Sequence, residues 1–195
     1  MSNEVKTPAL VLARYPYAEH SQVLHLYTEA EGRIAVLALG KRWGTLPPGA
    51  LLRVCLRLRP HRELQRLSDA EWDYPYHTLF HDPQRYPYLA LAIEWFQRCL
   101  LAWDPPLFAW IRAKLIELDT HPDPLFFLRQ TFCELLERLG LGSLPSLPSL
   151  EQLEQVYQRS FSNWGPLYSS KLLEALSLPV YGNRPDASRS SFAAN

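Results

Sequence analysis

The hydrophobic period changes once along this chain, near residue 80, and that change limits the fold more than any single motif. Before it, apolar and polar residues alternate or run in short blocks: "ALVLAR" (Ala9–Arg14), "VLHLYT" (Val23–Thr28), "RIAVLAL" (Arg33–Leu39) and "ALLRVCLRLR" (Ala50–Arg59), with a weaker candidate at Arg62–Ser68. Strand side chains alternate between faces, so these segments read as five short strands. "TEAEG", Thr28–Gly32, ends in glycine and suits a tight hairpin between the second and third. Closure into a barrel removes vulnerable strand edges, and five short strands fit a barrel of the OB type.

After the change the apolar spacing is helical: Leu89, Ile93, Phe96 and Leu100; Leu107, Ile111, Leu115 and Leu118; Leu125, Leu128, Phe132, Leu135, Leu136 and Leu139. Asp82, Asp104 and Asp123 each precede a proline, the arrangement of an N-cap followed by the first helical residue. Ser149–Gln152 forms a capping box, and Gly140 and Gly142 stop the third helix. A fourth helix is predicted over Leu150–Phe161 and a fifth over Tyr168–Leu176. The expected class is therefore α+β: a five-stranded OB-type β-barrel over 1–80, an all-helical domain over 81–179, and a disordered tail over 180–195. Trp95, Trp103 and Trp110 fall on apolar helical stripes, which suits core packing or, alternatively, a groove for a partner peptide.

Composition excludes several classes. No apolar run approaches the ~20 residues of a membrane span, and the first residues lack the pattern of a secretory signal. Cys55, Cys99 and Cys133 are odd in number and widely spaced, which suits a reducing cytoplasm and small hydrophobic roles. There is no phosphate-cradling glycine loop, no Gly-x-Ser-x-Gly elbow and no His-Glu-x-x-His, so an enzyme is not expected. His77 and His81 are flanked by prolines, and no third ligand is obvious except Asp82. Ser170 and Lys171 are adjacent on a predicted helix and point apart. Asp104, Asp119 and Asp123 are a conceivable divalent-ion set, but capping accounts for two of them. Neither a metal nor any other cofactor is expected.

What remains is binding. The chain carries 20 Lys+Arg and 20 Asp+Glu, yet residues 1–66 hold 10 basic and 5 acidic side chains. The block Arg33–Arg66 has 8 basic residues and one acid, Glu63. In "LRVCLRLR", Leu52, Val54, Leu56 and Leu58 point to the core, while Arg53, Arg57 and Arg59 share the opposite face. Like charges at alternate positions repel, and a bound polyanion would relieve them. In "LALGKRWGTLPPG", Lys41 and Arg42 are placed to contact phosphates and Trp43 to stack on bases, with Gly40 and Gly44 admitting a close approach. The candidate nucleic-acid contacts are thus Arg33, Lys41, Arg42, Trp43, Arg53, Arg57, Arg59 and Arg62, with Arg66 beside them. The plainer alternative is a solvated face with Trp43 folded back on the barrel. The sequence does not separate DNA from RNA, and a protein-docking adaptor working through the helical domain stays open.

The order of these pieces resembles the RecO family of bacterial recombination and repair mediators. The opening of the chain carries a family-like pattern at Arg14, Tyr17, Glu19, Ser21, Thr28, Gly32, Gly40 and Arg42. Phe132–Leu147 resembles the family's helix ending in Leu-Gly-x-x-Pro, and Pro166–Leu176 its closing helix. The resemblance implies an OB barrel followed by helices, binding of single- and double-stranded DNA, and annealing of complementary strands. It further implies cytoplasmic, nucleoid-associated work with RecR and the C-terminal tail of single-strand binding protein, loading RecA. Many members carry a four-cysteine zinc module where this chain has "SLPSLPSL", so no zinc is expected. Arg112, Lys114 and Arg129 are the cations on hand for an acidic tail.

Overall fold

β1 (Asn3–Ala18) is the longest strand, and both of its faces are used. It pairs with β2 (Ser21–Thr28) and with β4 (Leu51–Leu58). β3 (Gly32–Leu39) pairs with β2, and β5 (Leu64–Tyr74) closes the ring, antiparallel to β4 and parallel to β3 at Ala35↔Leu64, Val36↔Gln65 and Leu37↔Arg66. The order β1-β2-β3-β5-β4 is a closed barrel of the OB type, as the sequence led us to expect. This computed structural model describes residues 3–161 apart from 45, 101 and 145, with Arg42 described in its backbone alone.

Two cores meet across the barrel wall. Ala9, Val11, Leu24, Leu26, Val36, Leu52, Val54, Leu56 and Leu67 fill the barrel. Leu10, Leu12, Tyr27 and Leu51 point outward, into the core of the helical unit. That double burial explains why "ALVLA" is nearly continuous in its hydrophobicity, since neither face of this stretch meets water. Each outward Leu buried in this way contributes about 1.5–3 kcal/mol.

The helices are α1 (Tyr86–Cys99), α2 (Pro105–Thr120), α3 (Pro124–Arg138) and α4 (Leu150–Ser160). Asp104 accepts from the Leu107 N–H at 3.0 Å and Asp123 from the Phe126 N–H at 2.9 Å, each as an N-cap. Ser149 and Gln152 form the expected capping box. Asp82 does not cap α1: its carboxylate takes the Gln84 N–H, and its carbonyl takes those of Arg85 and Tyr86, closing a separate turn before the helix. Trp95 is fully buried, stacked on Phe132 at 3.9 Å, and Trp110 is half-buried beneath the Arg138 guanidinium. Trp103 lies before α2 rather than on a helical stripe; it is exposed, with its Nε1 donating to the Glu29 carbonyl at 2.8 Å. The predicted fifth helix and the tail fall outside the described residues.

Asp119 joins the two units. It is buried near the end of α2, and the segment linking β5 to α1 wraps around it. The backbone N–H groups of His77, Thr78 and Leu79 donate to its carboxylate at 2.7–2.9 Å, with the hydroxyls of Thr78 at 3.0 Å and Tyr74 at 3.2 Å. Asp104, Asp119 and Asp123 therefore form no divalent-ion set: two cap helices and the third holds the linker.

Pro47–Ala50 is a tight turn in which the Ala50 N–H donates to the Pro47 carbonyl at 3.1 Å, with Gly49 at φ +93. A Cβ on Gly49 would lie 2.9 Å from Cδ2 of Leu89 on α1. Gly49→Ala is expected to cost about 2–4 kcal/mol, from a left-handed backbone plus overpacking at the domain junction. Gly140→Ala, also left-handed but open to solvent, should cost only about 1 kcal/mol. Urea denaturation of the two variants checks the difference.

Candidate nucleic-acid interface

The β4–β5 turn builds the densest cluster of cations. Gln65 closes this turn: its carboxamide oxygen accepts from the Arg59 N–H at 2.6 Å, and its Nε2 donates to the Arg59 and Arg62 carbonyls. His61 sits at φ +62 within the same turn. The clip presents Arg59 and Arg62 at the end of β4, and the β3–β5 pairing brings Arg66 opposite Leu37. Arg57, Arg59, Arg62 and Arg66 line one cleft of about 460 Å³, with Leu39 and Leu64 exposed on its wall. Among the described residues, Arg57 is the one of these held by an acid, Glu4, at 2.9 Å; the pair is surface-exposed and weak enough to exchange for a phosphate.

At the end of β3, the 3-10 turn Lys41–Trp43 follows Gly40, whose N–H donates to the His20 carbonyl at 2.7 Å. Trp43 is not a stacking platform. It is buried among the barrel residues, with its indole Nε1 donating to the Leu39 carbonyl at 2.9 Å. An apolar ring of that size gains more from filling the open barrel end than from exposure. The plug fixes the turn and leaves Lys41 exposed at the rim.

The structure separates the other candidates. Arg33 lies at the far end of β3, roughly 20 Å away at the rise of a strand, and its Nη1 donates to the Gln97 carbonyl of α1 at 3.1 Å. Arg53 pairs with Asp73 at 3.0 Å, and Asp73 also takes Arg112 of α2 at 2.7 Å. The expectation of mutual repulsion until an anion binds is therefore corrected for Arg53 and Arg57. Glu71 and Glu4 lie across the ladder from Arg53 and Arg57, and Asp73, at a register shift in β5, takes Arg53 as well, so both arginines are already compensated. Lys114 pairs with Glu134 at 2.9 Å, and Arg129 donates to the carbonyls of Pro148 and Leu147. With Arg112 also engaged, all three cations considered for an acidic tail have partners within the chain.

Arg14 and Tyr17, which the sequence marks only as positions of the family-like pattern, and Tyr15 and Gln22, which it does not mark, lie outside the sequence-based set of contacts. β1 shifts register between Val11 and Ala13, which brings Arg14 opposite Leu24, and again between Pro16 and Ala18. Tyr15, opposite Val23, stands exposed with its ring 5.1 Å from His25, and Tyr17, within the second shift, is exposed as well. Burial first, and then the Arg33 guanidinium, hold His25 below its ordinary value, so the ring is neutral at pH 7. Among the described residues no three His, Cys, Asp or Glu side chains gather as a metal group, and no helix is long and apolar enough to cross a membrane.

A closed β1-β2-β3-β5-β4 barrel with an appended helical unit defines an OB-fold protein whose cations gather around the β4–β5 turn and the end of β3. The family model described as "Recombination protein O N terminal" matches residues 1–76. The DNA repair protein RecO of Nitrosospira multiformis is 33% identical over 146 residues, covering 68% of this chain and 57% of that protein. That of Polaromonas naphthalenivorans is 31% identical over 155 residues, covering 74% and 59%, and that of Salinibacter ruber 36% over 81 residues, covering 38% and 31%. The chain belongs to the RecO family. It spans less than three-fifths of the length of these relatives.

Proposed function

We propose that the protein is a non-catalytic DNA-binding mediator of recombinational repair. It binds single- and double-stranded DNA, anneals complementary strands, and helps to load RecA on DNA coated by single-strand binding protein. RecR and the C-terminal tail of that protein are its partners, in the cytoplasm at the nucleoid. The observation that carries this reading is the Arg57, Arg59, Arg62 and Arg66 cluster on a closed OB barrel. Guanidiniums bind phosphates without regard to sequence. The residues lining that cleft include no aromatic, so a strand lying there keeps its base edges free. Annealing requires that freedom.

The test is fluorescence anisotropy of a labelled single strand at several salt concentrations. If Lys41 and the four arginines each neutralise a phosphate, log affinity should fall against log salt with a slope of about −3.5. No binding at low salt would overturn the reading.

A further inference from the structure

Thr7, Gln22 and Thr28 are the buried polar side chains on the inward face of the barrel among the described residues, and the hydroxyls of Thr7 and Thr28 are hydrogen-bonded to nearby backbone. Gln22 shares the inward face of β2 with Leu24 and Leu26, and it is 8% exposed. Its Nε2 is buried and has no hydrogen-bond partner among the described residues. A buried carboxamide donor left unpaired costs about 1–3 kcal/mol. An apolar side chain of the same length would cost nothing of that kind.

The position of Gln22 suggests a role for that cost. It lines a cleft of about 350 Å³ at the barrel mouth, between the β1–β2 hairpin and the 3-10 turn. Arg14 enters from the hairpin, brought to this side by the first register shift, and Lys41 from the turn. Both are solvent-exposed and neither has an ion-pair partner among the described residues. His20 and Glu19 stand at the rim, 3.7 Å apart. Leu39 and Gly40, neighbours in the chain, line the arginine cleft and this one respectively, so the two adjoin. The space suits a nucleotide rather than a bare phosphate, and a carboxamide is the side chain that pairs with the polar edge of a base.

We propose that the barrel-mouth cleft receives one unpaired nucleotide of the bound strand, its phosphate between Arg14 and Lys41 and a polar edge of its base on the Gln22 carboxamide. The inference rests on the nucleic-acid reading above and adds a single-strand-specific contact to it. A base paired in a duplex cannot enter, so the cleft distinguishes single strands from double strands.

Gln22→Met tests it, because Met matches the length and removes the carboxamide. Thermal melting should be unchanged or higher, since an unpaired donor has been removed from a buried site. Anisotropy with a single-stranded oligonucleotide should show affinity reduced by about fivefold to tenfold with an unaltered salt slope. Duplex affinity should stay at the wild-type value. Arg14→Ala, at an exposed position, should leave the fold intact and make the single-strand slope shallower by about 0.7. Wild-type single-strand affinity in Gln22→Met, or an equal loss on duplex, would overturn the inference while the wild-type protein still binds DNA. Failure of the wild-type protein to bind would instead overturn the reading beneath it.

Discussion

Replacing Asp119 by Ala should destabilise the protein by about 4 kcal/mol, the largest effect expected of any single substitution here. The carboxylate accepts three backbone N–H groups and the Thr78 hydroxyl from the linker between barrel and helices, and the Tyr74 hydroxyl from the end of β5. Truncation leaves the His77, Thr78 and Leu79 amides without their acceptor, and the Leu79 bond is buried. Asp119→Asn keeps one acceptor oxygen but sets an NH₂ group against N–H donors, so its loss should be intermediate. The carboxylate also makes stability depend on pH. Burial works to raise its pKa, but the hydrogen bonds from His77, Leu79 and Thr78 outweigh it and hold the carboxyl below the ordinary value. The folded state thus binds this proton less readily than the unfolded chain does. Its stabilisation is complete above the unfolded value near pH 4 and is lost as the pH falls through the lower folded value. Urea melts at pH 7 and pH 3 should show a decline in wild type that is smaller in Asp119→Ala. Equal declines would mean that Asp119 is not the carboxylate responsible.

The barrel was legible because alternation and turn residues constrain each other. In β4 the alternation assigned Leu52, Val54 and Leu56 to the core correctly. Four features escaped for physical reasons. Period-2 counting cannot register a bulge, and the shift between Val11 and Ala13 is what carries Arg14 to the barrel mouth. An exposed strand face of arginines can be neutralised by acids distant in sequence, and Glu4 and Asp73 are 53 and 20 residues from Arg57 and Arg53. Trp43 had two compatible readings until its depth was known, since a loop tryptophan can stack on a ligand or plug its own barrel. Asp119 could be grouped with Asp104 and Asp123 as an ion set because three of its five partners are backbone amides, which carry no sequence signal.

The ion pairs also divide the arginines into two groups with different expected behaviour. Arg57→Ala/Arg59→Ala/Arg62→Ala should weaken single-strand binding by about 100-fold at moderate salt and make the log–log slope shallower by about 2. Arg59 and Arg62 are exposed, and Gln65 holds the turn through their backbone, which alanine preserves. The fold should therefore survive, and a circular dichroism melt checks that it does. Arg53→Ala should do the reverse. Its guanidinium shares the nearly buried Asp73 with Arg112, so its removal weakens a link between barrel and α2. The melting temperature should fall slightly while the salt slope stays that of wild type. The comparison separates a cationic surface acting through phosphates from one that merely stabilises the fold. If Arg53→Ala flattened the slope and the triple variant did not, the strand would cross the β4–β5 sheet near α2, and the cleft at the β4–β5 turn would lose its role. If both left the slope unchanged, the cations at the end of β3 would have to carry the binding alone. In that case Lys41 and Arg14, at the mouth of the barrel, would be the residues to substitute next.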